Sequence, residues 1–191
     1  MIPLTIDRQR EPFKGDILLS EPFLMDNHFT RSVILVCEHN AEGSFGLILN
    51  STLELSITDL IEKFPKIDAP VGMGGPVEQN QLFFIHKYGE LKDCELVTNG
   101  IYMGGDYDEL QAAILKGAVK AEDIRFFVGY SGWGENQLKE ELKERSWIVI
   151  TPTEETDFFT VDDDHLWKRL VQNLGGKYAR MADYPINPAD N

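Results

Sequence analysis

Residues Gly129-Tyr130-Ser131-Gly132-Trp133-Gly134-Glu135-Asn136-Gln137-Leu138 put three glycines and two large aromatics into ten positions, between an apolar run and a helical run. Glycine at that density marks backbone that must bend tightly or be approached closely by another segment. Tyr130 and Trp133 add apolar bulk with one polar handle each. A strand-to-helix turn over residues 129–137 is expected, with Gly74-Gly75-Pro76 and a strand end at Asn50 close to it. Two arrangements fit: a binding crevice, or a packed corner in which the glycines let helix and strand approach. In a crevice, Tyr130 and Trp133 would divide between core and lining. Gln137, one helical turn after Trp133, would offer its amide to the same space.

Around this segment, short strands and helices follow one another without a repeat or a linker. Residues 16–20, 33–37 and 45–49 are apolar, β-branched or aromatic runs bounded by Gly, Pro, Asn and Asp, which predicts buried strands. The stretch 40–44 is hairpin-sized. Ser56 is expected to cap a helix with Ile57, Leu60, Ile61 and Phe64 inward, ending before Pro65. Further strands are expected at 81–86, 95–98, 101–103, 125–130, 147–150 and 157–161. Asp106 with Glu109 reads as a capping box for a helix that buries Leu110, Ala113 and Ile114 and stops at Gly117. A helix from Glu135 carries Leu138 and Leu142 on one side. Another, led by Asp162-Asp163-Asp164, turns Leu166, Leu170 and Leu174 inward and closes at Gly175-Gly176. Several strands run hairpin to hairpin before a helix intervenes, too irregular for a doubly wound sheet. The fold class is therefore α+β, a single domain of mostly antiparallel or mixed β-sheets flanked by about four helices.

A chain of 191 residues suits one domain with a sizeable core. Eighteen basic against 32 acidic residues give a net charge of −14 and a pI near 4.6. A polyanion partner needs clustered Lys and Arg to displace phosphate counterions. The densest basic stretch, Lys139-Glu140-Glu141-Leu142-Lys143-Glu144-Arg145, carries acids between its bases and reads as a solvated helix face. Direct nucleic-acid binding is not expected, and there is no evident helix-turn-helix. The first 14 residues lack the apolar core of a signal peptide. No apolar run approaches the roughly 18 residues of a membrane span. Cytoplasm is the expected compartment, without a membrane partner. Cys37 and Cys94 are expected to be free thiols buried in strands.

The candidate chemical motifs each meet a structural alternative. Gly129-x-Ser131 begins like the hydrolase nucleophile elbow, but Trp133 stands where the closing glycine belongs. His28, His39, His86 and His165 make no i,i+4 pair and no Cys/His spacing that closes a metal site. Cys37 and His39, two apart on a strand, share a face, and two ligands are not a site. Gly72-Met73-Gly74-Gly75-Pro76 lacks the Gly-Lys-Ser/Thr of a phosphate loop and reads as a tight turn. Asp162-Asp163-Asp164 is favoured at a helix start by the macrodipole alone. No metal and no cofactor are expected.

Met25-Asp26-Asn27-His28-Phe29-Thr30-Arg31-Ser32-Val33 leads to Glu38-His39 and Gly43-Ser44-Phe45-Gly46-Leu47-Ile48-Leu49-Asn50. Gly74-Gly75-Pro76-Val77 follows, then His86, Gly129-Tyr130-Ser131-Gly132-Trp133, Gln137-Leu138 with Glu141, and Trp147. Together, in this order and spacing, they resemble the YqgE/AlgH family of bacterial proteins over Gly15 to Arg180. The resemblance implies a single domain of coiled β-sheets flanked by helices. The AlgH name reflects a proposed regulatory role in alginate production, with no established catalytic residues. The family resembles Gly-Tyr-Ala-Gly-Trp where this chain has Ser131, and alanine is no nucleophile. His39 and His86 fall on the family's pattern and read as hydrogen-bonded histidines at strand ends. The chain then divides into an extension (1–14), the domain (15–180) and a loosely held tail (181–191).

The expected function is a non-enzymatic binding or regulatory module for a protein or small-ligand partner. Its candidate binding residues are Tyr130, Trp133, Gln137, Glu141, Asn50, Gly74, Gly75, His39 and His86. Two alternatives stand beside it. One is an enzyme using Glu141, His39 or His86 as acid or base, which needs two such groups to converge in a cleft. The other is a transcriptional regulator acting indirectly rather than on DNA itself.

Overall fold

The computed structural model describes residues 10–24 and 26–185. In chain order the elements are β1 (Ile17–Ser20), β2 (Val33–Asn40), β3 (Gly43–Ile48), α1 (Ile57–Leu60), β4 (Val71–Met73) and β5 (Val77–His86). Then come β6 (Glu95–Thr98), β7 (Ile101–Met103), α2 (Tyr107–Leu115), a 3-10 turn at Ala121–Asp123 and β8 (Ile124–Gly134). The chain continues through α3 (Gln137–Lys143), β9 (Trp147–Ile150), α4 (Leu166–Asn173) and α5 (Gly176–Met181). The α+β class and single domain expected from the sequence are what the fold displays.

Among the described residues the nine strands form one open sheet, ordered β6-β7-β5-β8-β3-β2-β1-β9, with β4 beside β8 off this path. Only the β4–β8 pairing is parallel. Strand β8 joins two halves. Its first part, from Ile124 to Tyr130, lies against β5 and β4. Its last part, from Ser131 to Gly134, lies against β3.

Period-2 alternation distributes the apolar side chains among three clusters. Ile17, Leu19, Val33, Leu35, Ile148 and Ile150 turn to one face, where Trp167, Leu170 and Val171 of α4 cover them. Their neighbours Leu18, Ile34, Val36, Trp147 and Val149 turn to the other, under Leu138 and Leu142 of α3. Phe84, Ile124 and Phe126 pack with Leu110 and Ala113 of α2 in the third cluster. The inward set expected for α2 is thus present, with Ile114 partly buried. Asp106 caps α2 by accepting from the Glu109 N–H. The Glu109 carboxylate does not return to Asp106; it accepts from the backbone of Lys92.

Several local expectations change. The helix after Ser56 lasts a single turn, since the backbone is already extended at Ile61, at φ −129° and ψ 114°. Leu60 is exposed, while Ile57 and Phe64 still reach the core. Residues 157–161 form no strand: the Asp157 carboxylate accepts from the N–H groups of Phe159 and Thr160 and turns the chain. Phe158 and Phe159 are buried from that turn. Beyond Gly175 the chain makes α5, and Ala182 is buried. Residues 186–191 of the expected tail and 1–9 of the extension lie outside the described residues. Both cysteines are free. Cys94, however, is half-buried in a turn ahead of β6, not inside a strand.

Candidate functional site

The glycine-rich segment is not a turn. It is the second half of β8, and only Glu135-Asn136 separate it from α3. Its special point is Gly129, at φ 67°. Val77 pairs with Tyr130 and Leu82 with Val128, so four residues of β5 bulge opposite Gly129 alone. A Cβ on Gly129 would lie 2.7 Å from the Gly75 carbonyl oxygen and 2.8 Å from that of Val77. One on Gly74 would lie 2.2 Å from the Gly129 oxygen. The Gly74-Gly75 segment therefore does pack on this corner, backbone against backbone, and Ser131 Oγ donates to the Gly74 carbonyl at 3.0 Å.

An irregularity at this point exchanges the faces of the residues beyond it. Phe127 and Tyr130, three apart, both face the first cluster, while Trp133 faces the α3 side. Tyr130 and Trp133 thus lie on opposite faces of the sheet.

On the α3 face, Trp133 is 5% exposed and stacks on Phe29. Its indole N–H donates to Glu141 Oε2 at 2.9 Å, and that of Trp147 donates to the same oxygen at 2.6 Å. Gln137 Nε2 donates to Glu141 Oε1 at 2.9 Å, and Gln137 Oε1 accepts from Gly134 N at 3.0 Å. Trp133, Gln137 and Glu141 are thereby brought together in bonds that fasten α3 onto the end of β8.

On the opposite face lies an open groove of about 480 Å³. Tyr130 and Phe45 line it, their rings 4.8 Å apart, and Phe83 packs against Tyr130 at 5.6 Å. Glu38, Phe45 and Gly132 stand side by side across β2, β3 and β8. Gly132 leaves room for the Tyr130 ring, which a Cβ would meet at 2.8 Å. Glu38 and Glu42 line the groove with Asn40 and Val77, and among the described residues no Lys or Arg does. Beyond Tyr130, among the described residues, no strand pairs with β8 on its β5 side.

The remaining candidates disperse. His39 Nδ1 meets Ser44 Oγ at 2.7 Å, on the α3 side. The register shifts between Val36 and Glu38, leaving Cys37 as an extra residue on β2. Cys37 therefore faces the first cluster and does not share a face with His39, contrary to the simple period. Asn50 accepts from Val33 N at 2.8 Å and donates to the Arg31 carbonyl at 2.9 Å, tying a loop to β2. His86 is fully buried, stacked on Tyr102, with Nε2 2.9 Å from the Gly104 oxygen. It pairs with Ile124, six residues before Tyr130, roughly 20 Å away at the rise of a strand. Burial holds its imidazole below the ordinary pKa, opposed by the bond to Gly104.

The acidic triplet separates too. Asp162 binds Arg169 and His165, while Asp163 accepts from Thr52 N and Thr52 Oγ1 at 2.7 and 3.0 Å. Among the described residues no three His, Cys, Asp or Glu side chains converge as a metal ion requires. No described helix is long and apolar enough to cross a membrane. Glu38, Glu42 and Phe45 come to this groove only through cross-strand register, which no local sequence signal carries. Arg125, elsewhere in the sheet, is 1% exposed over the Phe127 ring, its pKa lowered by burial against the pull of Asp163 and Asp157.

A family model described as AlgH-like matches residues 17–179. A UPF0301 protein of Cytophaga hutchinsonii is 41% identical over 180 residues, covering 93% of this chain and 98% of its own. A UPF0301 protein of Chlorobaculum parvum is 38% identical over 188 residues, covering 97% and 100%. Among solved structures, a crystal structure of a Corynebacterium diphtheriae protein is similar at a TM-score of 0.75, with 21% identity over 92% of this chain and 94% of that one. The solution structure of the AlgH protein from Pseudomonas aeruginosa gives 0.70, with 24% identity over 93% and 97%. These two likenesses speak to the fold alone.

Proposed function

The chain belongs to the AlgH-like family, and from that premise we propose that it is a non-enzymatic binding module. It takes an extended, basic peptide segment of a partner protein along the end of β8. One observation carries this reading: the groove of about 480 Å³ beside Gly132–Gly134 combines an unpaired strand edge with aromatic walls and a carboxylate rim. An extended segment added to such an edge gains main-chain hydrogen bonds, while the pockets select its side chains. Tyr130 and Phe45 suit its apolar side chains, and Glu38 and Glu42 suit a Lys or Arg. Acid–base catalysis is disfavoured by the same geometry. Both oxygens of Glu141 hold fold-making hydrogen bonds, and His39 and His86 lie on separate parts of the sheet.

Selection of peptides from a random display library tests this. Enriched peptides should carry a basic residue beside an apolar one. Titrated into labelled protein, they should shift the amide signals of residues 38–45 and 130–134. Glu38→Lys with Glu42→Lys should weaken the interaction at least about tenfold, the scale of one to two charge-assisted contacts. Shifts elsewhere, or affinity indifferent to that reversal, would overturn the reading.

A further inference from the structure

We propose that the cavity between α3 and α5 is an anion site for an organic phosphate or carboxylate with an apolar body. The cavity measures about 480 Å³. Lys139 and Lys143 of α3, Arg145 beyond its end and Lys177 of α5 line it, and Glu11 is the only acid in the lining among the described residues. In a chain with 32 acidic and 18 basic residues, four cations around one carboxylate reverse the prevailing charge. Cations gathered in a concave site focus potential onto an incoming anion more than the same charges spread over a surface.

The chain itself places an anion at the rim. Glu11 Oε1 sits 2.7 Å from Lys139 Nζ. Its carboxyl is held below the ordinary range by the Lys139 hydrogen bond first, then by the Lys139 charge, with His39 and Lys143 adding to it. Lys143 also reaches Glu140, which lies outside the lining. Lys177 lies over the Tyr178 ring, 5.0 Å from its centroid, and Arg145 follows α3 in a left-handed conformation at φ 65°.

The floor determines what kind of anion fits. Leu142, Trp147 and Ile148, all buried, line it, with Tyr178 at the side. A bare inorganic ion would leave that floor unused, whereas an apolar body attached to the charged group covers it. The anionic head then meets Arg145 and Lys177, the two lining cations for which no carboxylate lies within ion-pair distance among the described residues. This site is on a different part of the molecule from the β8 groove and does not rest on it.

Calorimetric titration with octyl phosphate, below its micellar concentration, tests the proposal alongside inorganic phosphate and octanol. Octyl phosphate should bind more tightly than either control, and less tightly as salt is raised. Arg145→Gln with Lys177→Gln should weaken it about tenfold or more. Glu11→Gln should tighten it several-fold by removing the competing carboxylate, a gain that a merely destabilised protein would not give. Vesicles containing phosphatidic acid separate the sources. Flotation lost in the double variant assigns the anion to a lipid headgroup, and binding of octyl phosphate without flotation assigns it to a free ligand. Absence of binding heat, equal affinity for octanol, or indifference to both variants would overturn the proposal.

Discussion

Trp133 and Trp147 meet edge to face at 5.7 Å and donate their indole N–H groups to one oxygen of Glu141. Two buried donors thus depend on one acceptor, carried by a helix of seven residues. Such a helix is marginal by itself and gains stability from what it packs on.

Glu141→Ala should therefore destabilise the protein by about 3 kcal/mol, since it leaves two buried donors unsatisfied. Urea unfolding measures the loss, and near-ultraviolet dichroism should report altered tryptophan packing. Gln137→Ala, at an exposed site, should cost only about 1 kcal/mol. Equal effects of the two would mean that the indoles find other partners.

Gly129→Ala should cost about 3 kcal/mol. Part is the left-handed conformation at φ 67°, worth about 1–2 kcal/mol for an L-residue. The rest is overlap with two carbonyl oxygens that belong to backbone and cannot swing aside. Gly117→Ala, also at positive φ but with nothing within 4 Å of its added Cβ, should cost only the conformational share. Thermal unfolding of both variants checks the difference.

The two thiols should separate by reactivity. Burial pushes the Cys37 thiol far above its ordinary pKa, and Cys94, half-buried, is raised by burial as well. A thiol reagent at mildly alkaline pH should label Cys94 slowly in the native protein and spare Cys37. Both should label in denaturant without reductant, as free cysteines do. Native labelling of Cys37 ahead of Cys94 would contradict their placement.

Stability should fall as pH drops below the ordinary histidine value of 6.5. The folded protein holds His86 below that value, so the unfolded chain binds the extra proton first. This contribution is present above 6.5 and is lost as pH falls through and below it. The urea midpoint should decline in that window, and His86→Gln should flatten the slope. Carboxylates held low, such as Asp59 and Asp183, act only in more acidic solution.

Periodicity and capping residues were enough to place most elements: the apolar runs of β1, β2 and β9, the Asp106 cap of α2, and Leu138 with Leu142 on α3. These are local matters of backbone preference and of one face turned from water. The site was legible only as composition. Glycines at 129, 132 and 134 signal close backbone approach, but they suit a turn as well as the strand that forms, because a bent strand and a turn use the same residue. A bulge in β5 and an extra residue at Cys37 decided which side chains share a face, and a one-residue shift in register leaves no mark on local propensity. The family, the α+β class and the segments that pack follow from the residues alone. Tertiary structure alone decided that Trp133, Gln137 and Glu141 fasten a helix while Tyr130 lines a groove, because those roles depend on which distant strand or helix supplies the partner for each polar group.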